Sequence, residues 1–519
     1  MDISIYGFHD SSLCLKQDGE YFIYEFERFA NERYAVLTSH WNSAAPDREL
    51  VKSFYSYIFR LHKISKVTNC YTNQFYHIDQ EIIREVIPVE NFVPMDHHFA
   101  HASSAYRQSP FDDCWVISYD GDGDNVDGSK SSFTVWRAEG EQISLVHDFQ
   151  PYTSYSLGNC YLGLTGALST IKKRKAQKDR YLYQGGNSGK LMGLASYGTP
   201  IESIKPAMMD FYDNGTLQQQ AELERLYGKQ LTTDALSGQE EYDFAATLQW
   251  AFEDKFFRVF DTLGVAPGSR VVVSGGCALN ILVNQRLQDM GFQVYVPPNS
   301  ADCGLSFGML AHHIGDRHVD LTYRGFEILD SDDPLPEGFS KTAVSNSDIA
   351  ELLYTKKKII GYIHGRAECG PRALGNRSIL CYPTIPHLKE RLNAEVKFRE
   401  WFRPFGAVTR LESVPKYFLN GSESRYMSFC PTLRPEYRFP SITHVDNTCR
   451  VQTVTSAQHH DLYDILSRID GMGGEGILLN TSFNIKGKPI LSKLADAFET
   501  LRDTKLEGFV YNGNFYERC

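Results

Sequence analysis

In the stretch 95–106, MDHHFAHASSAY, two histidines stand four residues apart. On a helix, positions i and i+4 share a face, so His97 and His101 point the same way while His98 is rotated off it. Two neutral imidazoles make half of a site for a first-row metal. By itself this spacing equally describes a polar helix surface or a satisfied core face. What favours a metal is a pair of carboxylates at strand ends. Asp120 closes the strand predicted for Cys114 to Tyr119 and opens the turn DGDGD, and Asp302, in PNSADCG, precedes an apolar, glycine-containing helix. Such strand ends line the crevice of an α/β sheet. Two histidines and two aspartates suit zinc or manganese as well as other divalent first-row metals.

A second group of residues is cationic. The loop HGRAECGPRALGNRS spaces Arg366, Arg372 and Arg377 with glycines, and KFREWFRPFG adds Lys397, Arg399 and Arg403. Guanidinium groups hold phosphate oxygens bidentately, so cations set on Gly and Pro turns predict a small, highly charged ligand such as a triphosphate. Any one of these arginines could be a surface ion pair; the set argues for an anion site. In SGGCALN, Gly275 and Gly276 follow a buried-type strand and would let backbone N–H groups approach a phosphate or adenosine before the helix near Leu279. A Gly-Gly turn after a strand carries little weight alone. The run KKRKAQKDR sets Lys172, Lys173, Arg174, Lys175, Lys178 and Arg180 against one anion, Asp179. A solvated helix or loop is the usual outcome for a charge run, but the glycine-rich neighbour makes contact with a DNA backbone an expectation to test.

These residues need a frame. At 519 residues the chain is long enough for two or more domains. Its net charge of −11 excludes a general positive field for nucleic acid, so any polyanion site is local. Eleven cysteines without a CxxC pair predict reduced thiols rather than a disulfide framework or zinc ribbon. No basic-then-apolar leader opens the chain, and no apolar run reaches about 18 residues. The expectation is a cytoplasmic protein (host cytoplasm for a viral source) with no membrane contact. A homodimer is carried as an expectation that no motif decides.

The chain opens with a strand over 3–6, a polar turn, and a hairpin about Asp18-Gly19 whose second strand runs from Glu20 to Glu25. The order recurs in CWVISYD, an acidic loop, and FTVWRAEGEQISLV. Duplicated strand–turn–hairpin units followed by helices predict a two-lobed, actin-like (ribonuclease H-like) α/β fold. Helices are predicted over 48–64 and over 243–263, where Phe244, Leu248, Phe252, Phe256 and Phe260 recur at helical spacing as core. Strands are predicted over 270–273, 293–296, 358–363 and 508–516. The Asp-, Pro-, Ser- and Gly-rich segment 327–347 reads as a boundary, giving domains 1–340 and 341–519.

HHFAHASSAY, GKLMGLASYG, SGGCALN, GRAECGPRALGNRSIL, KFREWFRPFG, THVDNTCRVQT and LLNTSFNIKGKPI follow in this order across nearly the whole chain. They resemble the O-carbamoyltransferases of nodulation-factor, aminoglycoside and cephem biosynthesis, a family that includes viral enzymes acting on hydroxymethylated cytosine in DNA. The resemblance implies an actin-like carbamoyl-transfer domain and a C-terminal domain with the fold of threonylcarbamoyl-adenylate synthases. It implies that the second cleaves carbamoyl phosphate and condenses the carbamate with ATP, carried with Mg2+, to carbamoyl-adenylate. The first would then transfer the carbamoyl group to an acceptor hydroxyl with the help of Fe(II). Carried over residue by residue, the metal ligands fall on His97, His101, Asp120 and Asp302. Gly275, Gly276 and Asn280 would hold the adenylate; Arg372, Arg377, Lys397, Arg399, Arg403, Arg450, Ser482 and Asn484 would hold carbamoyl phosphate and ATP. His9 and Asp10 are candidates to orient or deprotonate the acceptor.

The chain departs from the family at EFERFANERYAV, where a basic stretch is usual, and at Asn447 and Gly406-Ala407. The altered stretch and the basic run together predict 5-hydroxymethylcytosine in DNA as acceptor. The alternatives are a small-molecule hydroxyl on a sugar or antibiotic, an actin-like ATPase or kinase with no use for His97 and His101, and a nucleotide-binding module without turnover.

Overall fold

The computed structural model describes residues 1–38, 47–73, 80–149, 156–171, 186–214, 217–231 and 235–519. The chain divides into two compact units, one of Met1–Ala30 and Tyr34–Asp320, the other of Leu321–Cys519 with Asn31–Arg33. The compositional boundary segment thus joins the second unit. Asp330 accepts hydrogen bonds from the Leu494 and Ala495 backbone at the start of the Leu494–Asp503 helix, and Leu329 donates to the Ser492 carbonyl. The basic run 172–180 lies outside the described residues.

In the first unit, strands β1 (Ile3–Tyr6), β2 (Ser12–Gln17), β3 (Glu20–Glu25), β4 (Val67–Asn73) and β5 (Val89–Met95) form a sheet ordered β3-β2-β1-β4-β5. β1 is buried at all four positions, as a central strand requires. Its pairing is antiparallel to β2 and parallel to β4. Strands β6 (Asp113–Asp124), β7 (Lys130–Glu139), β8 (Gln142–Phe149), β9 (Arg270–Ser274) and β10 (Gln293–Tyr295) form a second sheet ordered β10-β9-β6-β7-β8. Here too the first strand pairs antiparallel with a hairpin and parallel with a later strand. The hairpin-first order is therefore the same in both sheets.

Two differences from the sequence reading bear on the site. β6 does not end at Tyr119 but runs to Asp124, with an irregularity in its pairing to β7 between Tyr119 and Gly123. A bulge of this kind re-aims side chains without ending the strand, and the one here carries Asp120. The predicted helix over 48–64 is Arg48–Leu61, started by Asp47, whose carboxylate accepts from the Glu49 and Leu50 backbone. The long helix Gln239–Thr262 buries Phe244, Leu248, Phe252, Phe256 and Phe260. Each fully buried phenylalanine contributes about 1.5–3 kcal/mol.

The His97–Gln108 helix follows β5 after a single residue and packs along the Leu305–Ile314 helix. The two cross closely at Gly308, where a Cβ would stand 2.0 Å from the Ala100 carbonyl oxygen. Only glycine allows that approach. It brings the start of the Leu305–Ile314 helix, and with it Asp302, to the histidine end of the neighbouring helix.

The second unit is built on an eight-stranded mixed sheet of β11 (Phe339–Ala343), β12 (Ile360–Ile363), β13 (Arg377–Cys381), β14 (Gly406–Arg410), β15 (Val451–Val454), β16 (Ile477–Ser482), β17 (Gly508–Tyr511) and β18 (Asn514–Arg518). The order is β11-β18-β17-β12-β13-β16-β14-β15, with β12–β17 and β14–β15 parallel. The segment 508–516, read as one strand, is a hairpin: Asn512 and Gly513 take φ of 47° and 69° and turn the chain. That Asn-Gly pair is itself a hairpin signal that the apolar residues on either side obscured.

Candidate metal centre and cation cluster

Four side chains from three separate stretches of the first unit meet at one point. His97 and His101 lie one helical turn apart, Asp120 comes from the β6 bulge, and Asp302 from the short 3-10 turn before the Leu305–Ile314 helix. One ligand atom from each can be chosen so that all lie within 4.8 Å of one another. The His101 Nε2 is 3.2 Å from Asp120 Oδ2, 3.2 Å from Asp302 Oδ1 and 3.1 Å from His97 Nε2. His97, His101 and Asp302 are all but fully buried, and Asp120 is partly open. Two imidazole nitrogens and two carboxylates converging in a buried spot fit a divalent first-row cation.

Neighbours fix these ligands. Tyr6 Oη donates to Asp302 Oδ2 at 2.5 Å, and the Gly276 and Gly121 backbones donate to Asp120 at 2.8 and 2.6 Å. Gly123 lies against the His97 ring: a Cβ there would be 2.3 Å from His97 Cδ2. Gly123→Ala is therefore expected to displace that ring and weaken cation binding by about 10- to 100-fold, the usual cost of disturbing a ligand's support. Competition with a metallochromic chelator measures it, and unchanged affinity would refute this role for Gly123.

The centre's electrostatics follow from its charges. Burial alone would lower the His101 imidazole, but the Asp120 and Asp302 carboxylates hold it up, at about 9. Burial lowers His97. Asp302 and Asp120 resist the upward push of burial because the imidazoles beside them favour the ionised form, and both fall below the usual carboxylate range. Without a cation the cluster thus balances its carboxylates with protons on imidazole. Because ligands bind metal deprotonated, cation uptake at pH 7 should release about one proton or more. Titration calorimetry in buffers of different ionisation enthalpy reads this directly; an enthalpy independent of buffer contradicts it.

The other predicted residues of this unit fall around the centre. His9 Nε2 is 3.6 Å from Asp302 Oδ2, and its Nδ1 is 3.1 Å from Asp10 Oδ2. Burial pulls the His9 imidazole down, but Asp302 and Asp10 outweigh it and hold it at about 9. Gly275 donates its N–H to the Ser300 carbonyl, and Gly276 uses its own on Asp120. Asn280 caps the Ile281–Asp289 helix, accepting from the Val283 backbone, and exchanges amide hydrogen bonds with Gln249.

In the second unit the cations gather. Lys397 is buried and donates to the Ser482 carbonyl at 2.6 Å and to both the carbonyl and the side-chain oxygen of Asn484 at 2.6 Å. Arg399 donates to Asn393 Oδ1 at 2.7 Å and lies over the Phe405 ring. Burial depresses Arg372, Lys397, Arg399 and Arg450, and the surrounding cations depress them further. Arg403 acts on all four, Arg450 on Arg372 and Arg399, and Arg399 on Lys397. Arg450 settles near 10. Mutually repelling buried cations mark a place for an anion. Arg377 stands differently: fully buried, it donates to the carbonyls of His364, Asn376 and Phe326.

Three residues with roles here were not singled out as candidates from the sequence. Tyr6 supports Asp302 across 296 residues. His98, rotated off the metal face as its helix position requires, has Nδ1 3.0 Å from Ser118 Oγ. Arg33 belongs to the second unit, where its charge is among those depressing Arg372 and Lys397. Nothing local marks any of them.

The chain matches two family models, Carbamoyltransferase N-terminus over residues 42–310 and Carbamoyltransferase C-terminus over residues 350–518. It belongs to the carbamoyltransferase family, and is an enzyme of that class. Among its relatives, Nodulation protein U of Sinorhizobium fredii is 28% identical, the alignment covering 78% of this chain and 74% of the relative. Nodulation protein NolNO of the same organism is 32% identical, covering 83% and 64%. A 3'-hydroxymethylcephem-O-carbamoyltransferase of Streptomyces clavuligerus is 29% identical over 64% and 65%. Among solved structures, full-length HypF in a phosphate- and nucleotide-bound form covers 60% of this chain and 46% of its own at 16% identity and a TM-score of 0.36. Among the described residues, no helix is long and apolar enough to cross a membrane.

Proposed function

We propose that the protein is an ATP-dependent O-carbamoyltransferase that uses carbamoyl phosphate, through carbamoyl-adenylate, to modify the hydroxyl of a small molecule. The convergence of His97, His101, Asp120 and Asp302 in a family of carbamoyl-group transferases carries this reading. In it the first unit is a duplicated actin-like domain, supported by the shared strand order of its two sheets, and the second is the adenylate-forming domain.

In the second unit Arg372, Lys397, Arg399, Arg403 and Arg450 hold the phosphates of carbamoyl phosphate and ATP, with Ser482 and Asn484 orienting Lys397. Carbamoyl phosphate gives up phosphate, the carbamate oxygen attacks the α-phosphorus of ATP, and pyrophosphate leaves. Arg377 braces the loop that carries Arg372 through the carbonyls it binds. In the first unit the acceptor oxygen attacks the carbamoyl carbon, AMP leaves, and His9, oriented by Asp10, takes the hydroxyl proton. A divalent cation held by the four ligands would polarise the carbamoyl carbonyl and stabilise the oxyanion. The family resemblance favours Fe(II), and the donor set also accepts zinc or manganese. Neutralising Asp302 would bring His9 down from its raised value into the range of a working base.

A small-molecule acceptor is preferred because the basic run behind the DNA reading lies outside the described residues, while a relative's own name specifies a hydroxymethylcephem. Mass spectrometry of acceptors incubated with enzyme, ATP and carbamoyl phosphate tests the assignment. A carbamoyl adduct on a sugar or antibiotic hydroxyl is expected. An adduct on hydroxymethylated DNA alone would replace the acceptor, and ATP hydrolysis with magnesium but no adduct on any acceptor would favour the ATPase or kinase reading.

A further inference from the structure

The first unit carries a cleft of 420 Å³ that the mechanism does not use. It opens beside the first turn of the His97–Gln108 helix, under β7, β8 and the loop before β7. His98 forms one wall. Its ring is 5.5 Å from that of His97 and 6.1 Å from that of His101, centroid to centroid, so a single imidazole separates the cleft from the metal centre.

The lining has three chemical features. First, Asp96, Asp127 and Asp148 face the cleft and no lysine or arginine does. Asp96 and Asp127 each use one oxygen on the local backbone, and Asp148 Oδ2 accepts from Ser131 Oγ at 2.6 Å. Second, two buried polar atoms have no hydrogen-bond partner, Asp148 Oδ1 and Nε2 of His98, a side chain only 1% exposed. A buried group left so costs about 1–3 kcal/mol, which a ligand hydroxyl or ammonium would recover. Third, Trp136 and Phe99 meet edge to face at 5.3 Å. The Trp136 N–H is already bonded to Thr134 Oγ1, which leaves these rings as an apolar wall. Uncompensated carboxylates, unfilled hydrogen bonds and an aromatic face together describe a ring with hydroxyls, a positive charge and one C–H face.

We propose that this cleft binds a small polyhydroxylated cation of the amino-sugar class, its ammonium among Asp96, Asp127 and Asp148, a hydroxyl on His98 Nε2, and its C–H face on Trp136 and Phe99. The binding stands on the cleft alone; identifying the ligand with the carbamoyl acceptor rests on the transferase reading.

Titration calorimetry of the full chain with D-glucosamine, and with D-glucose as the uncharged control, tests it. Glucosamine should bind at least about tenfold more tightly than glucose. Asp148→Asn keeps the shape and removes the charge; Leu145→Trp fills the rim from a side chain that is 51% exposed, so neither disturbs the core. Each should weaken glucosamine by about tenfold or more with an unchanged melting temperature. Equal binding of the two sugars, or parental affinity in both variants, would overturn the proposal. Adding ATP and carbamoyl phosphate then separates two sources of the ligand. A carbamoyl adduct on bound glucosamine marks the cleft as the acceptor's, and binding without an adduct marks a ligand that is held but not modified. The transferase reading fails separately, when no acceptor gains a carbamoyl group.

Discussion

His101→Ala protein is expected to purify without a cation at the first unit's centre and to transfer carbamoyl groups at least about 10³-fold more slowly, while still releasing pyrophosphate from ATP and carbamoyl phosphate. His101 Nε2 stands within 3.2 Å of both carboxylates and 3.1 Å from His97 Nε2, closer to all three than any other atom of the set. Its loss removes one of four donors and leaves Asp120 and Asp302 facing each other with one imidazole between them. Elemental analysis reads the cation, mass spectrometry of the acceptor reads transfer, and a coupled assay reads pyrophosphate. A variant that kept its cation and its transfer rate would refute the centre's role, and ATP turnover needing only magnesium would favour the kinase alternative.

Lys397→Met should have the complementary effect. Carbamoyl phosphate-dependent pyrophosphate release should fall by about 10²–10³-fold, the scale of losing one preorganised charge contact, while the cation of the first unit is retained. Lys397 bridges the end of β16 to Asn484 and is held among Arg399, Arg403 and Arg33, which together with burial depress it strongly. An arriving phosphate reverses that repulsion, so binding energy and the lysine's charge are gained together. Removing the ammonium also leaves buried carbonyls short of a donor, at about 1–3 kcal/mol, but relieves repulsion among the remaining cations. Circular dichroism checks that the fold survives. Undiminished pyrophosphate release in a folded variant would take Lys397 out of the adenylation site.

The local features were the legible ones. The period of His97 and His101, the stripe from Phe244 to Phe260, and the hairpin at Asp18-Gly19 each depend on neighbours within a few residues, which a sequence displays. What escaped depends on partners far along the chain. The β6 bulge that aims Asp120 exists because Gly123 lets the backbone lie against His97, a contact no period encodes. The 508–518 hairpin was hidden by its own evenness, two apolar strands about an Asn-Gly pair reading as one. The cluster of arginines was visible as a set, yet Arg377 differs from the rest because its charge is spent on three backbone carbonyls. Arg33 and Tyr6 sit in stretches with no local sign of their roles, and only the fold brings Tyr6 to Asp302.

X-ray absorption at the metal edge of the purified protein reads the centre most directly. The predicted result is one cation per chain with imidazole nitrogen and carboxylate oxygen as donors and no sulfur, the imidazole signal falling when His97 or His101 is replaced. A spectrum with thiolate donors, or one unchanged in both histidine variants, would contradict the centre on which the proposed chemistry depends.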